Sequence, residues 1–260
     1  MRYSLTILFL LVSLFTFNAA AKGLETDFAK ANSLFEKGEY QKAQKAYDDL
    51  EKLGVHSTVL FYNRAVTEAR LGNLGSAVQY FEKVLVKNPA DESAVYNLKV
   101  IRNYIARRSN EQGRDADLAP FTSPWRATLD RFSEKSASIS FIIFYILFFI
   151  VLFAAHFVKN EMLILSLRVS TGIFAAAAIL LGAVTAGKKD QLTNQTEAIV
   201  TKVGDDYQLN VYDGPAENAK RFTLEEGARI KLLDTRNSWS KIMDDHGKDG
   251  WVKTENLGKI

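Results

Sequence analysis

The sequence predicts a multidomain membrane protein in three parts: an all-α helical repeat, a two-helix transmembrane hairpin and a small all-β barrel. Three observations predict it. Between Leu24 and Arg108, residues of matching type recur at a period of about 34. Between Ile139 and Gly187, two long apolar runs are separated by Lys159-Asn160-Glu161. From Thr196 to Ile260, short alternating segments are punctuated by turn residues.

The 260 residues are enough for one to three small modules, and the formal net charge of +3 is close to balance. A nucleic-acid binder concentrates basic residues on one face, so nucleic acid is not the expected partner. The absence of cysteine excludes disulfides, thiolate metal sites and a Cys nucleophile. Residues 1–21 read as a signal peptide: Arg2 is the positive end, Ile7 to Phe17 the short apolar run, and Ala19-Ala20-Ala21 the small residues before cleavage. An uncleaved anchor is the alternative. Either would send the following domain across the membrane. No Cys follows the run, which rules out a lipoprotein.

Within residues 22–108, Gly38 and Gly72, Ala43 and Ala77, and Tyr47 and Phe81 are equivalent. The glycines suit tight turns between paired helices. The alanines are small where the second helix of a pair crosses the first, and the aromatics follow one turn later on the same face. Pro89 ends the second unit, whereas the first has Gly54-Val55 there. These residues resemble the tetratricopeptide repeat, over two repeats and a capping helix from Glu92 to Arg108 that starts at Asp91. The resemblance makes the glycines, alanines and aromatics scaffold, and places function on the concave face lined by the first helix of each pair. Asn32, Asn63 and Asn97 are the peptide-binding candidates there, because an amide can meet a peptide backbone with both donor and acceptor. The other reading makes these amides surface groups or bridges between neighbouring helices. Asn63-Arg64 is similar to part of the basic clamp that some such proteins close on a C-terminal carboxylate. The third helix, however, offers Ser93 and Asn97 where further bases would stand.

Residues 109–138 read as a polar linker followed by a short interfacial helix with Phe121, Trp125, Arg126, Arg131 and Phe132. The expected spans are 139–158 and 169–187, with a short loop at 159–168 between them and a second linker at 188–195. Arg168 would snorkel at the membrane edge, and His156 reads as an interfacial residue rather than a proton relay. The second span carries Gly172, Ala176, Ala178, Gly182 and Ala186, which permit close helix approach. Packing of the two spans on each other is the simplest account, and a transmembrane partner the alternative. Flanking positive charge does not fix the orientation. The signal peptide places both soluble domains outside, and without it both would be cytoplasmic.

In the barrel region, 196–260, Ala198-Ile-Val-Thr201, Gln208 to Asp213, Ala228 to Leu233, Trp239 to Met243 and Gly250 to Lys253 read as strands. Leu209-Asn-Val, Gly214-Pro215, Glu226-Gly227, Trp239 and Gly250-Trp251-Val252 resemble a bacterial SH3 domain. Tyr212-Asp213 departs from it, standing where an Arg commonly follows the Asn-Val step. Exposed aromatics on loops are what such barrels use to dock peptides, which makes Tyr212, Trp239 and Trp251 candidates. The plainer reading of both tryptophans is that they fill the edge of the core.

No catalytic constellation is visible. His56, His156 and His246 fall in three separate regions, and there is no phosphate loop, metal spacing or nucleophile elbow. The expectation is a non-enzyme without cofactor. The order of parts resembles the BatE-type proteins of Bacteroides aerotolerance operons. That resemblance implies a membrane-anchored scaffold of the cell envelope, acting with membrane partners that bear von Willebrand-type domains. A cell-wall sensor that binds peptidoglycan peptides through the barrel, and an accessory subunit of a membrane enzyme complex, are the other readings.

Overall fold

A computed structural model describes residues 23–114, 128–129, 131–158, 160–194 and 197–260. The expected signal segment and most of the expected interfacial helix lie outside these residues. Five helices come first: α1 over 23–36, α2 (Tyr40–Lys52), α3 (Thr58–Arg70), α4 (Leu74–Lys87) and α5 (Glu92–Glu111). Gly38 and Gly72 turn each pair with φ of +77° and +81°, a backbone that other residues adopt only under strain. Gly54, at φ +87°, makes the turn that Pro89 makes in the next unit. Ser57 caps α3 by accepting from the Leu60 amide at 3.1 Å, and Asp91 caps α5 by accepting from the Ala94 amide at 2.9 Å. Ala43 and Ala77 are fully buried at the crossings, beside the buried rings of Tyr47 and Phe81.

Two further helices follow, α6 (Glu134–Phe157) and α7 (Glu161–Asn194). Their mean hydropathies reach 2.7 and 2.0, and both are long and apolar enough to cross a membrane. Only 6% of the apolar stretch of either helix is buried in the protein, unlike the core helix of a soluble domain. They pack antiparallel, with Phe141 of α6 filling the space over Gly182 of α7. The turn between them is shorter than the loop expected at 159–168: Asn160 accepts from the Leu163 amide at 3.2 Å, so α7 begins at Glu161. It also runs on to Asn194, through most of the linker expected at 188–195. Arg168 therefore lies inside the helix.

The last part is one antiparallel sheet: β1 (Glu197–Val200), β2 (Gln208–Gly214), β3 (Ala216–Glu225), β4 (Arg229–Arg236), β5 (Trp239–Met243), β6 (Asp249–Lys253) and β7 (Leu257–Lys259). The order across it is β3-β2-β6-β5-β4-β1-β7. Edge strand β3 contributes Leu224 to the same apolar core as Ala198 and Val200 of β1, so the sheet curls into a barrel. A Cβ at Gly250 would run into the Val211 side chain, which is why β6 has glycine where β2 passes closest.

Successive side chains on a strand point to opposite faces, and β1 uses both. Ala198 and Val200 enter the barrel core, whereas Ile199 enters the helical core with Val78, Ile101 and Ile105. Ile260 joins it there. The helices and the barrel thus share an apolar core at their junction, and Ala228 packs against both that core and the barrel's own. The barrel covers α4 and α5 at the end of the repeat stack, where a further helix of a longer repeat array would otherwise be needed.

Candidate interaction surfaces

The repeat residues singled out from sequence mostly bond to one another. Asn32 Oδ1 accepts from the Tyr47 hydroxyl at 2.7 Å and from Asn63 Nδ2 at 3.0 Å. Asn97 Nδ2 donates to the Tyr62 hydroxyl at 2.9 Å, bridging α5 to α3. Arg64 is buried. Its Nε donates to Glu68 at 2.8 Å, its Nη1 to the Gln44 carbonyl at 2.7 Å, and it pairs with Asp48. Glu68 is also buried, and it gathers Gln44 and Asn73 besides. This network ties α2, α3 and the start of α4 together, and the Arg64 guanidinium is spent inside it. Burial pushes the Tyr47 hydroxyl up to about 12. Burial would also raise the Glu51 carboxyl, but Lys83 at 2.8 Å and the Tyr80 hydroxyl at 2.8 Å hold it below its ordinary value.

Among their exposed polar groups, the first helices leave an apolar row open. Val59 on α3 is exposed, with Tyr62 and Val66 half-buried behind it on the same face. On α5, Tyr96 and Tyr104 are 68% and 59% exposed, with Val100 exposed between them. Tyr96 and Val100 occupy the α5 positions that Tyr62 and Val66 hold on α3, so one face of the repeat carries both rows.

Polar groups rim the junction with the barrel. Glu226, in the turn after β3, is buried. It accepts from the Gly75 amide at 2.8 Å and from Arg108 at 2.8 Å. Asn73 supplies no side-chain cap to α4, so Glu226 caps that helix from the other module. Neighbouring Glu225 accepts from the Ser109 hydroxyl at 2.8 Å and pairs with Arg114 at 3.1 Å. Glu82 of α4 bridges Arg102 of α5, at 2.5 Å, and Arg229 of β4. Gly227 (φ +78°) lies on Val78 and Ile105, and a Cβ there would come within 3.1 Å of Ile105. Little along the chain marks this cluster. Its one legible sign was the Glu226-Gly227 pair, which also reads as an ordinary turn.

On the barrel, the three aromatics share the outer face of β2, β6 and β5, opposite the inward Val211, Val252 and Ile242. Tyr212 meets Trp239 edge-on at 5.7 Å between ring centres. Trp251 is buried beneath the Arg236 guanidinium, 5.3 Å from its ring centre. Tyr212 also lines a shallow cleft of about 250 Å³ with Lys202, Asp206, Asn210, Glu217 and Lys253. Lys253 and Glu217 pair there at 2.6 Å. The cleft offers both charge signs and amide groups around one aromatic ring.

A family model described as the bacterial SH3 domain matches residues 206–259. The chain is also 30% identical over 81 residues to proteins named photosystem I assembly protein Ycf3 from Synechococcus elongatus strain PCC 7942 and Synechococcus sp. strain PCC 6301. Each match covers 30% of this chain and 47% of the relative, so the chain spans about half the length of the curated relatives it matches. No solved structure matches it.

Proposed function

We propose that the chain is a non-catalytic, membrane-anchored protein–protein interaction scaffold of the bacterial cell envelope. The observation that carries this reading is the exposed face of Tyr96, Val100 and Tyr104 beside Val59 and Tyr62. A monomer gains nothing by leaving aromatic and aliphatic side chains together in water, and such patches serve partners. The relatives named for photosystem assembly are consistent with a part in assembling membrane complexes. By the likeness to BatE-type aerotolerance proteins, the partners would be membrane proteins with von Willebrand-type domains. The hairpin would span the inner membrane, with the repeat and barrel on the extracytoplasmic side.

The test is quantitative co-purification of the full chain from its native membrane, compared with a variant carrying Tyr96→Ser, Val100→Ser and Tyr104→Ser. These side chains are exposed, so the fold survives, and at least one stoichiometric partner should be lost. An unchanged set of partners would sink the reading.

The bacterial SH3 match and the cleft at Tyr212 favour a second reading, in which the barrel holds peptidoglycan peptides. Lys202 and Lys253 would face the peptide carboxylates, and Asp206 and Glu217 its amines. Retention of the full chain on purified cell wall, abolished by Tyr212→Ala, is expected. No retention of either form would reject it.

A further inference from the structure

The exposed row on α5 does not stop at the end of the repeat. Tyr96, Val100, Tyr104 and Arg108 stand four residues apart. A helix turns about 100° per residue, so each step of four rotates the row by about 40°. Tyr96 points away from the junction residue Ile105, Val100 and Tyr104 come progressively round, and Arg108 reaches the barrel. There the Arg108 guanidinium lies over the Tyr207 ring, 3.8 Å from its centre.

Tyr207 is unusual in two ways. Its φ is +61°, a left-handed backbone that a bulky side chain rarely adopts. The residue is nonetheless 40% exposed. Its amide donates to the Gly204 carbonyl at 2.9 Å, within the loop that also lines the cleft at Tyr212. The strained turn presents an aromatic ring at the end of the α5 row, and Glu226 fixes Arg108 beneath it at 2.8 Å.

Charge beside the row is of one sign over its middle. Lys99 and Arg107 flank it on α5, and Arg70 of α3 occupies the position equivalent to Tyr104. All three are exposed, and among the described residues no ion pair holds them. Glu92 and Glu111 stand only at the two ends of α5.

We propose that Tyr96, Val100, Tyr104 and Tyr207 form one interaction surface that crosses from repeat to barrel, and that it takes an extended acidic polypeptide segment with apolar anchors. This rests on the scaffold reading and gives it a single binding track in place of two independent modules. Apolar anchors would sit on the tyrosines and Val100, while acidic side chains meet Arg70, Lys99 and Arg107.

Phage-displayed random 16-residue peptides, selected against the full chain in nanodiscs, supply the probe. Selected peptides should be rich in Asp or Glu and in aromatic or aliphatic residues. One such peptide, fluorescently labelled, is then titrated against Tyr104→Ser, Tyr207→Asn and Tyr207→Gly. Asn and Gly accept the left-handed backbone, so these variants remove the ring without disturbing the turn. All three variants should weaken binding tenfold or more, and added salt should weaken it further. Loss with Tyr104→Ser but none with either Tyr207 variant would overturn the continuous surface and leave the scaffold reading standing. Selection of no peptide sensitive to Tyr104 or Tyr207 would overturn both.

Discussion

Glu226 serves both modules at once. It closes the start of α4 through the Gly75 amide and neutralises Arg108. Removing it leaves a largely buried guanidinium and an unmet helix amide together. Glu226→Ala should therefore cost about 2–4 kcal/mol, read from denaturant unfolding of the detergent-solubilised chain. Glu226→Gln keeps an acceptor for the amide and should cost less; equal losses would assign the effect to charge alone. Tyr47 gives a pH signature. Its hydroxyl titrates near 10 when unfolded and at about 12 when folded, so the folded state holds its proton longer. The stability this contributes is intact below pH 10 and is lost as pH rises from 10 to 12. Tyr47→Phe should flatten that alkaline fall in melting temperature, at a cost of about 1 kcal/mol for the bond to Asn32. An unchanged alkaline limb would show that another group sets it.

Strand β1 shows how an element's environment can reverse its expected behaviour. Ala198-Ile199-Val200 is an unbroken apolar run, which a one-sided barrel strand would not need. It is apolar because helices cover its other face. Strand β3 shows the converse. Among Ala216 to Glu225, little but Phe222 and Leu224 is large and apolar, so an edge strand carrying Lys220, Arg221 and Glu217 reads as loop. Because helices and barrel share a core, α6 and α7 are an insertion in one body. Joining residue 114 to residue 197 through about 12 Gly and Ser residues, which span roughly 20 Å, should give a soluble monomer with a single cooperative unfolding transition. Two separate transitions would mean that the junction does not couple the modules. The barrel alone, 197–260, should be markedly less stable, since Ile199 and Ile260 would face water.

One shared core also constrains topology. A body that includes both flanks of the hairpin must lie on one side of any membrane the hairpin crosses, with the α6–α7 turn on the other. The chain has no cysteine, so introduced ones report cleanly. Ser93→Cys on the repeat and Asp205→Cys on the barrel should react alike with a membrane-impermeant maleimide in intact spheroplasts, and Asn160→Cys in the turn should behave oppositely. A split between Ser93→Cys and Asp205→Cys would contradict the single body. If the first two react, the body is extracytoplasmic; if only Asn160→Cys does, it is cytoplasmic.

Local chemistry was legible in the sequence. Gly38 and Gly72 announced turns, Ala43 and Ala77 announced helix crossings, two uncharged runs announced helices able to span a membrane, and Gly250-Trp251-Val252 pointed to the barrel. Each of these is dictated by neighbours within a few residues, or by a period that repeats along the chain. The amides Asn32, Asn63 and Asn97 lie on α1, α3 and α5, but their bonds to Tyr47, Tyr62 and each other are set by how those helices pack. Glu226 and Gly75, Glu82 and Arg229, and Arg108 and Tyr207 lie far apart along the chain, with the hairpin between them. Charge and size at such separations leave no periodic trace, so only the tertiary structure decided that repeat and barrel close on each other, and that the exposed row on α5 ends on a tyrosine of the barrel.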